Sequence, residues 1–166
     1  MTASVTVGDQ VPEATLTVMT PEGPAGRSTT VLFGAGTTVL FAVPGAFTPT
    51  CSARHLPGFV ERTPEIRKAG ADRIVCMAVN DIFVMDAWGK SVGVGEAMVM
   101  AADGNGDFTR ALGLEMDSTG FGMGKRSQRF AMIITDGVIK HLMVEGPGEF
   151  RVSSADNVLD RMSAGD

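Results

Sequence analysis

The sequence predicts an α/β domain with a central mixed β-sheet flanked by helices, and three features of its patterning lead there. Short β-branched or apolar runs bounded by Gly, Pro, Asn or Asp recur at residues 14–18, 39–43, 74–79, 98–101, 130–135 and 138–144, the pattern of strands. The second and third runs are separated by a helical segment, which makes a βαβ unit with parallel, buried strands and a right-handed crossover. Asp136-Gly137 joins the last two runs as a hairpin turn, and a final helix follows.

Four helices complete the layout. One starts after Thr48, and Pro57 and Pro64 should kink or divide it. The others cover residues 83–91, 109–112 and 155–162, the last capped by Ser153 or Ser154. No repeat, low-complexity tract or linker divides the 166 residues, so residues 1–166 read as one domain long enough to bury a core without staples.

Composition narrows the function classes. Hydrophobic residues at 44% and charged residues at 20% are those of an ordinary soluble globular protein. A net charge of −5 argues against a nucleic-acid surface, and the cluster Lys125-Arg126-Ser127-Gln128-Arg129 is too small to reverse that. Two cysteines without a C-x-x-C form neither a disulfide framework nor a thioredoxin-type dithiol. The first ten residues lack the pattern of a signal peptide, and the apolar stretch 31–43 is too short and too interrupted to span a bilayer. A reducing compartment, the cytoplasm, with no membrane association is the expectation.

The chemistry concentrates in Pro44-Gly45-Ala46-Phe47-Thr48-Pro49-Thr50-Cys51. Proline is pre-set for the first helical position, which makes Thr48 the N-cap and Pro49 the first helical residue. Cys51 then falls third, where a backbone N–H has no partner within the helix. A thiolate there meets the positive end of the helix dipole, and thiolates attack disulfide sulfurs and peroxide oxygens. A small buried cysteine after a loop would suit the same position, so placement alone leaves both readings open.

Pro44, Thr48 and Cys51 also match the P-x-x-x-T-x-x-C signature of peroxiredoxins, and the string PGAFTPTCSARHLPGF, Pro44 to Phe59, resembles the type II subfamily. Val79-Asn80-Asp81 with Phe83, Val84 and Trp88, then Ala102-Asp103-Gly104, then Arg129-Phe130-Ala131-Met132 follow in that family's order, and the resemblance runs from Val7 to Leu159. It implies a thioredoxin-like fold and a thiol-dependent peroxidase for hydrogen peroxide and alkyl hydroperoxides, with no cofactor and no metal. Cys51 would be the peroxidatic nucleophile and pass through a sulfenic acid. Thr48 would cap the helix and bond the thiolate or the peroxide, while Pro44 would line the pocket and limit water. Arg129 would be the family's arginine, a fixed cation that favours the thiolate and answers charge on the leaving oxygen. Arg126 and Arg54 are weaker occupants of that role. Phe47, Leu114 and Phe121 are apolar candidates for the pocket or its rim.

Cys76 reads as a buried strand cysteine, with a resolving partner for Cys51 as the alternative. Some type II members carry a resolving cysteine near the C-terminus; the stretch 148–155 here has none. The resemblance therefore implies an outside reductant, glutathione with glutaredoxin or thioredoxin. By analogy alone, the loop face around residues 45–48 and 80–85 forms a homodimer contact.

Other signals fail their own tests. Asp103 to Asp107 imitates a calcium loop, but Phe108 and Leu114 stand where Gly and Glu are required. Residues 120–124 are glycine-rich without following a strand or opening a helix, and read as a flexible loop. Cys51, His55, Cys76 and His141 lack metal-site spacing. His55, one turn after Cys51, packs or bonds beside it. Two rival functions remain: a redox sensor or chaperone that relays oxidation to a partner protein, and a cysteine hydrolase with His55 as base.

Overall fold

In the structure, a computed structural model that describes residues 4–163, the expected strands assemble into one sheet. In chain order, β1 (Thr15–Thr20), β2 (Gly23–Ser28), α1 (Thr29–Phe33) and β3 (Thr37–Val43) precede a π-helical turn (Cys51–His55) that runs into α2 (Leu56–Lys68). β4 (Arg73–Ala78), α3 (Ile82–Val92), β5 (Val99–Ala102) and α4 (Asp107–Leu112) come next. A small hairpin, β6 (Glu115–Asp117) and β7 (Lys125–Ser127), encloses a 3-10 turn at Thr119–Phe121, and β8 (Phe130–Thr135), β9 (Val138–Val144) and α5 (Ala155–Ser163) follow. The outermost residues of the expected 1–166 domain lie outside the described ones.

Seven strands share one sheet in the order β2-β1-β5-β4-β3-β8-β9. β3 and β4 are parallel, as the βαβ reading requires, and so are β4 and β5. The remaining pairs are antiparallel, so the sheet is mixed. Asp136 (φ 50) and Gly137 (φ 82) both take positive φ, the condition for the tight turn that joins β8 to β9.

Both faces of the central strands are covered, which is why β3 and β4 read as continuous apolar runs. Val39, Phe41 and Val43 of β3, with Ile74, Cys76 and Ala78 of β4, pack against Phe59 and Ile66 of α2, Trp88 of α3 and Val158 of α5. The alternate residues Leu40, Ala42, Val75 and Met77 pack against Phe33, Phe108 and Leu112 on the opposite face.

The helix after Thr48 departs from expectation in one respect. Pro64 does not divide it, since α2 runs unbroken from Leu56 to Lys68. The irregularity lies earlier, where Pro49 and Thr50 are α-helical but Cys51–His55 widens into π geometry and the Leu56 N–H reaches back to the Cys51 carbonyl. Pro57 supplies no N–H for the Ala53 carbonyl and its ring crowds that group, which favours the wider turn. At α5 the cap is Ser154, whose Oγ accepts from the Asn157 N–H at 3.2 Å.

Asp103 takes a structural role. Its buried carboxylate accepts from the Phe108 N–H (3.2 Å), the Thr109 N–H (2.8 Å) and the Thr109 hydroxyl (2.7 Å), and so holds the start of α4. Asp103→Ala strands these donors and should lower unfolding stability by about 2–3 kcal/mol, read from urea denaturation. A loss under about 0.5 kcal/mol would show that the cap carries no such weight.

Candidate active site

The site forms where β3 ends. After Val43 the chain turns through Pro44 to Phe47, whose φ of 65 lies in the left-handed region, and the Ala46 N–H donates to Asn80 Oδ1 at 2.9 Å. Gly45 is closely packed: a Cβ there would lie 3.1 Å from Met123 Cε and 3.2 Å from Thr48 Cγ2, so both side chains would have to give by a few tenths of an ångström. Pro44 is half-buried at the strand end. The turn presents Thr48 Oγ1 at 2.8 Å from Cys51 Sγ and 2.7 Å from the Gly45 carbonyl. A hydroxyl has one hydrogen, so Thr48 donates to Gly45 when the sulfur is a thiol and turns to the sulfur when it is a thiolate.

Sheet order delivers the cation. β8 runs antiparallel to β3 and pairs Phe130 with Ala42. Arg129, one residue earlier, therefore arrives beside the end of β3, from which the loop to Cys51 departs. Its Nη2 lies 3.0 Å from Cys51 Sγ, although the two residues are far apart in sequence. The other arginines are engaged elsewhere: Arg126 Nη1 bonds the Val79 carbonyl at 3.1 Å and its Nε the Met123 carbonyl at 2.8 Å, while the Arg54 guanidinium lies 4.7 Å from the Phe150 ring centroid.

His55 holds the second end of that guanidinium. Arg129 Nη1 lies 2.8 Å from His55 Nδ1, and His55 Nε2 lies 2.9 Å from the Ser153 carbonyl. A guanidinium only donates and a carbonyl only accepts, so the ring must be neutral with its hydrogen on Nε2. Burial, and next the charge of Arg129, push the His55 pKa down to about 3 against a smaller upward pull from Ser153. The ring packs against Phe41, Phe59 and Phe150 at centroid distances of 4.9, 5.6 and 4.9 Å. With both nitrogens committed away from the sulfur, His55 is no general base, which overturns the hydrolase reading.

Cys51 and Cys76 are both free and buried. Burial, and then the proximity of Cys51, push the Cys76 thiol well above its usual range, so it stays protonated in mid-strand.

The Redoxin family matches residues 6–159. The chain belongs to the Redoxin family. Peroxiredoxin-2E, chloroplastic, of Arabidopsis thaliana is 47% identical over 163 residues, covering 96% of this chain and 70% of the relative. Peroxiredoxin-2B of the same plant is 45% identical over 158 residues, covering 95% of this chain and 98% of the relative. The crystal structure of reduced Prx3 in complex with H2O2 from Vibrio vulnificus matches with a TM-score of 0.92 at 48% identity, over 95% of this chain and 99% of that one. The fold is thioredoxin-like, the subfamily is type II, and the protein is a thiol-dependent peroxidase.

Within this peroxiredoxin, the structure brings Thr48, Cys51 and Arg129 together around one sulfur. It does not place Leu114 at a rim: that residue is buried with Phe33 and Phe108 in the cluster across the sheet. Phe47 and Phe121 are exposed. Among the described residues, no group of three or more His, Cys, Asp or Glu is arranged to hold a metal, and no helix is long and apolar enough to cross a membrane. His55 was legible only as a neighbour of Cys51, because its partner Arg129 comes from another strand.

The depressed His55 pKa carries a pH dependence. The unfolded ring binds its proton near 6.5 and the folded ring only near 3, so between those values acid favours the unfolded state. The stability involved is on the order of 5 kcal/mol, fully present above the higher value and lost as pH falls toward the lower. In urea titrations from about pH 7 to about pH 4, the advantage of the wild type over His55→Gln should shrink steadily. A gap that stays constant would refute this linkage.

Proposed function

We propose that Cys51 is the peroxidatic nucleophile, with Thr48, Arg129 and Pro44 completing the catalytic site. The observation that carries this reading is a fully buried Sγ held between the Thr48 hydroxyl at 2.8 Å and the Arg129 guanidinium at 3.0 Å. The thiolate attacks the terminal oxygen of hydrogen peroxide or a small alkyl hydroperoxide. An S–O bond forms, the O–O bond breaks, the sulfur is oxidised to a sulfenic acid, and the departing hydroxide or alkoxide takes up a proton. Arg129 and Thr48 donate where negative charge moves from sulfur to oxygen, and Pro44 limits water at the strand end.

Reduction needs thiols from outside the chain. Cys76 is protonated and fixed in a central strand, a poor resolving partner. One external thiol condenses with the sulfenic acid, releasing water and leaving a mixed disulfide; a second releases the Cys51 thiol and carries away the disulfide. Glutathione with glutaredoxin, or thioredoxin, fits this chemistry, and two unpaired cysteines suit a reducing compartment such as the cytoplasm. Phe47 and Phe83, 53% and 66% exposed on the loop face beside the site, support a homodimer contact there.

Trp88 provides the test, since its Nε1–H donates to Oγ of Ser52, the neighbour of Cys51, at 3.0 Å. Reduced protein mixed rapidly with hydrogen peroxide should show a peroxide-dependent fluorescence change with sulfenic acid at Cys51, identified by mass spectrometry. Cys51→Ser should abolish it with the fold intact, and Cys76→Ser should keep most turnover with glutathione and glutaredoxin. Arg129→Ala should slow oxidation roughly 100- to 1000-fold. Oxidation of Cys51 no faster than that of a free thiol would defeat the assignment.

A further inference from the structure

Glu145 directly follows β9 and is buried, and a single oxygen of its carboxylate gathers four donors. Oε2 accepts from the backbone N–H groups of Arg151 (2.8 Å), Val152 (2.8 Å) and Ser153 (2.7 Å) and from the Ser153 hydroxyl (2.6 Å). Burial works to raise its pKa, but the bonds from Ser153, Arg151 and Val152 outweigh burial and the net direction is down. Bonds to a carboxylate are roughly twice as strong as neutral ones, so the segment 151–153, which has no regular secondary structure, is tied to one point.

What that segment presents is the Ser153 carbonyl. It accepts from His55 Nε2 at 2.9 Å, His55 Nδ1 accepts from Arg129 Nη1 at 2.8 Å, and Arg129 Nη2 faces Cys51 Sγ at 3.0 Å. The backbone N–H of Glu145 also donates to the Arg129 carbonyl at 2.9 Å. One residue thus holds Arg129 from two directions: its backbone directly, and its guanidinium through Ser153 and His55.

We propose that Glu145 is a positioning residue of the peroxidase, fixing through the Ser153 carbonyl and His55 the direction in which Arg129 points at the sulfur. This rests on the reading of Cys51 as nucleophile and Arg129 as its cation. A neutral imidazole has two tautomers and two ring orientations, and only one arrangement accepts from Arg129 while donating elsewhere. The anchored carbonyl selects that arrangement. Without it, the ring loses the partner that keeps its hydrogen on Nε2, and the guanidinium loses the acceptor that aims it.

The test compares oxidation of reduced Cys51 by hydrogen peroxide, without reductant, in the wild type, Glu145→Gln, Glu145→Ala, Arg129→Ala and the two double variants. Glu145→Ala should slow oxidation roughly 10- to 100-fold, the cost of a misdirected group, and Glu145→Gln by less because its amide oxygen still accepts. Each Glu145 change should add no further loss in the Arg129→Ala background, since the two act through one group. Nitrogen-15 NMR of the imidazoles should show His55 as the pure Nε2–H tautomer in the wild type and as a mixture in the variants.

Glu145 variants that fold, oxidise at the wild-type rate and keep a single tautomer would overturn the proposal. So would a loss that multiplies with that of Arg129→Ala. If Glu145→Ala does not fold, Glu145→Gln carries the same comparisons. An Arg129→Ala protein as fast as the wild type would instead bring down the reading of Arg129, and the relay with it.

Discussion

A sulfur atom shielded from water can carry negative charge only where the protein answers that charge, and the Arg129 guanidinium lies 3.0 Å from the buried Sγ of Cys51. Arg129 reaches Cys51 because β8 pairs antiparallel with β3, and it reaches with its charge undivided because its other partner, His55, is neutral. The neutrality of His55 is in turn a property of the core. The ring sits among Phe41, Phe59 and Phe150, and the Phe41 and Phe59 rings stack at 3.9 Å with planes only 5° apart. A charged imidazole there would face both a desolvation cost and a like charge. Packing on this face of the sheet is therefore part of the electrostatics of the site.

The sheet explains why the parts converge. β3 and β4 are parallel, so the loops after Val43 and Ala78 leave the same edge, and Asn80 of one loop holds Ala46 of the other. β8 runs the opposite way, so its first residues meet that edge from below. The mixed sheet thus brings two strand ends and one strand start to a single point. An all-parallel sheet would deliver strand ends alone, and an arginine placed before a strand would lie at the far edge.

How much of this was legible follows from the range of each interaction. Thr48 and Cys51 were readable because a proline-marked helix start fixes both within one turn. Arg129 was assigned through family order, since its distance from Cys51 depends on strand pairing that local sequence does not encode. β2 escaped because Gly23-Pro24-Ala25-Gly26 lacks apolar alternation; it is an edge strand, where proline costs no ladder bond. α1, β6 and β7 are too short to show a period. Leu114 was apolar and near the site in order, yet it faces the other side of the sheet. Glu145 gave no signal, because a buried carboxylate binding backbone N–H groups matches no side-chain motif, and Ser153 was readable only as a candidate cap for the last helix.

With Cys51 as the nucleophile proposed above, its burial would bear on both halves of the cycle. A sulfur with no exposed surface would be reached, by a peroxide or by an external thiol, only where the turn around Cys51 gives way. That turn is the segment where helical bonding is least regular, with π geometry at Cys51–His55 between Pro49 and Pro57, neither of which donates an N–H. The bond from Thr48 is charge-assisted only while the sulfur is a thiolate, whereas the bond from Arg129 carries the guanidinium's charge in every state of the sulfur. If Cys51 is the nucleophile proposed above, oxidation to a neutral sulfenic acid would end the ion pair with Arg129 and the charge assistance to Thr48, and both contacts would weaken.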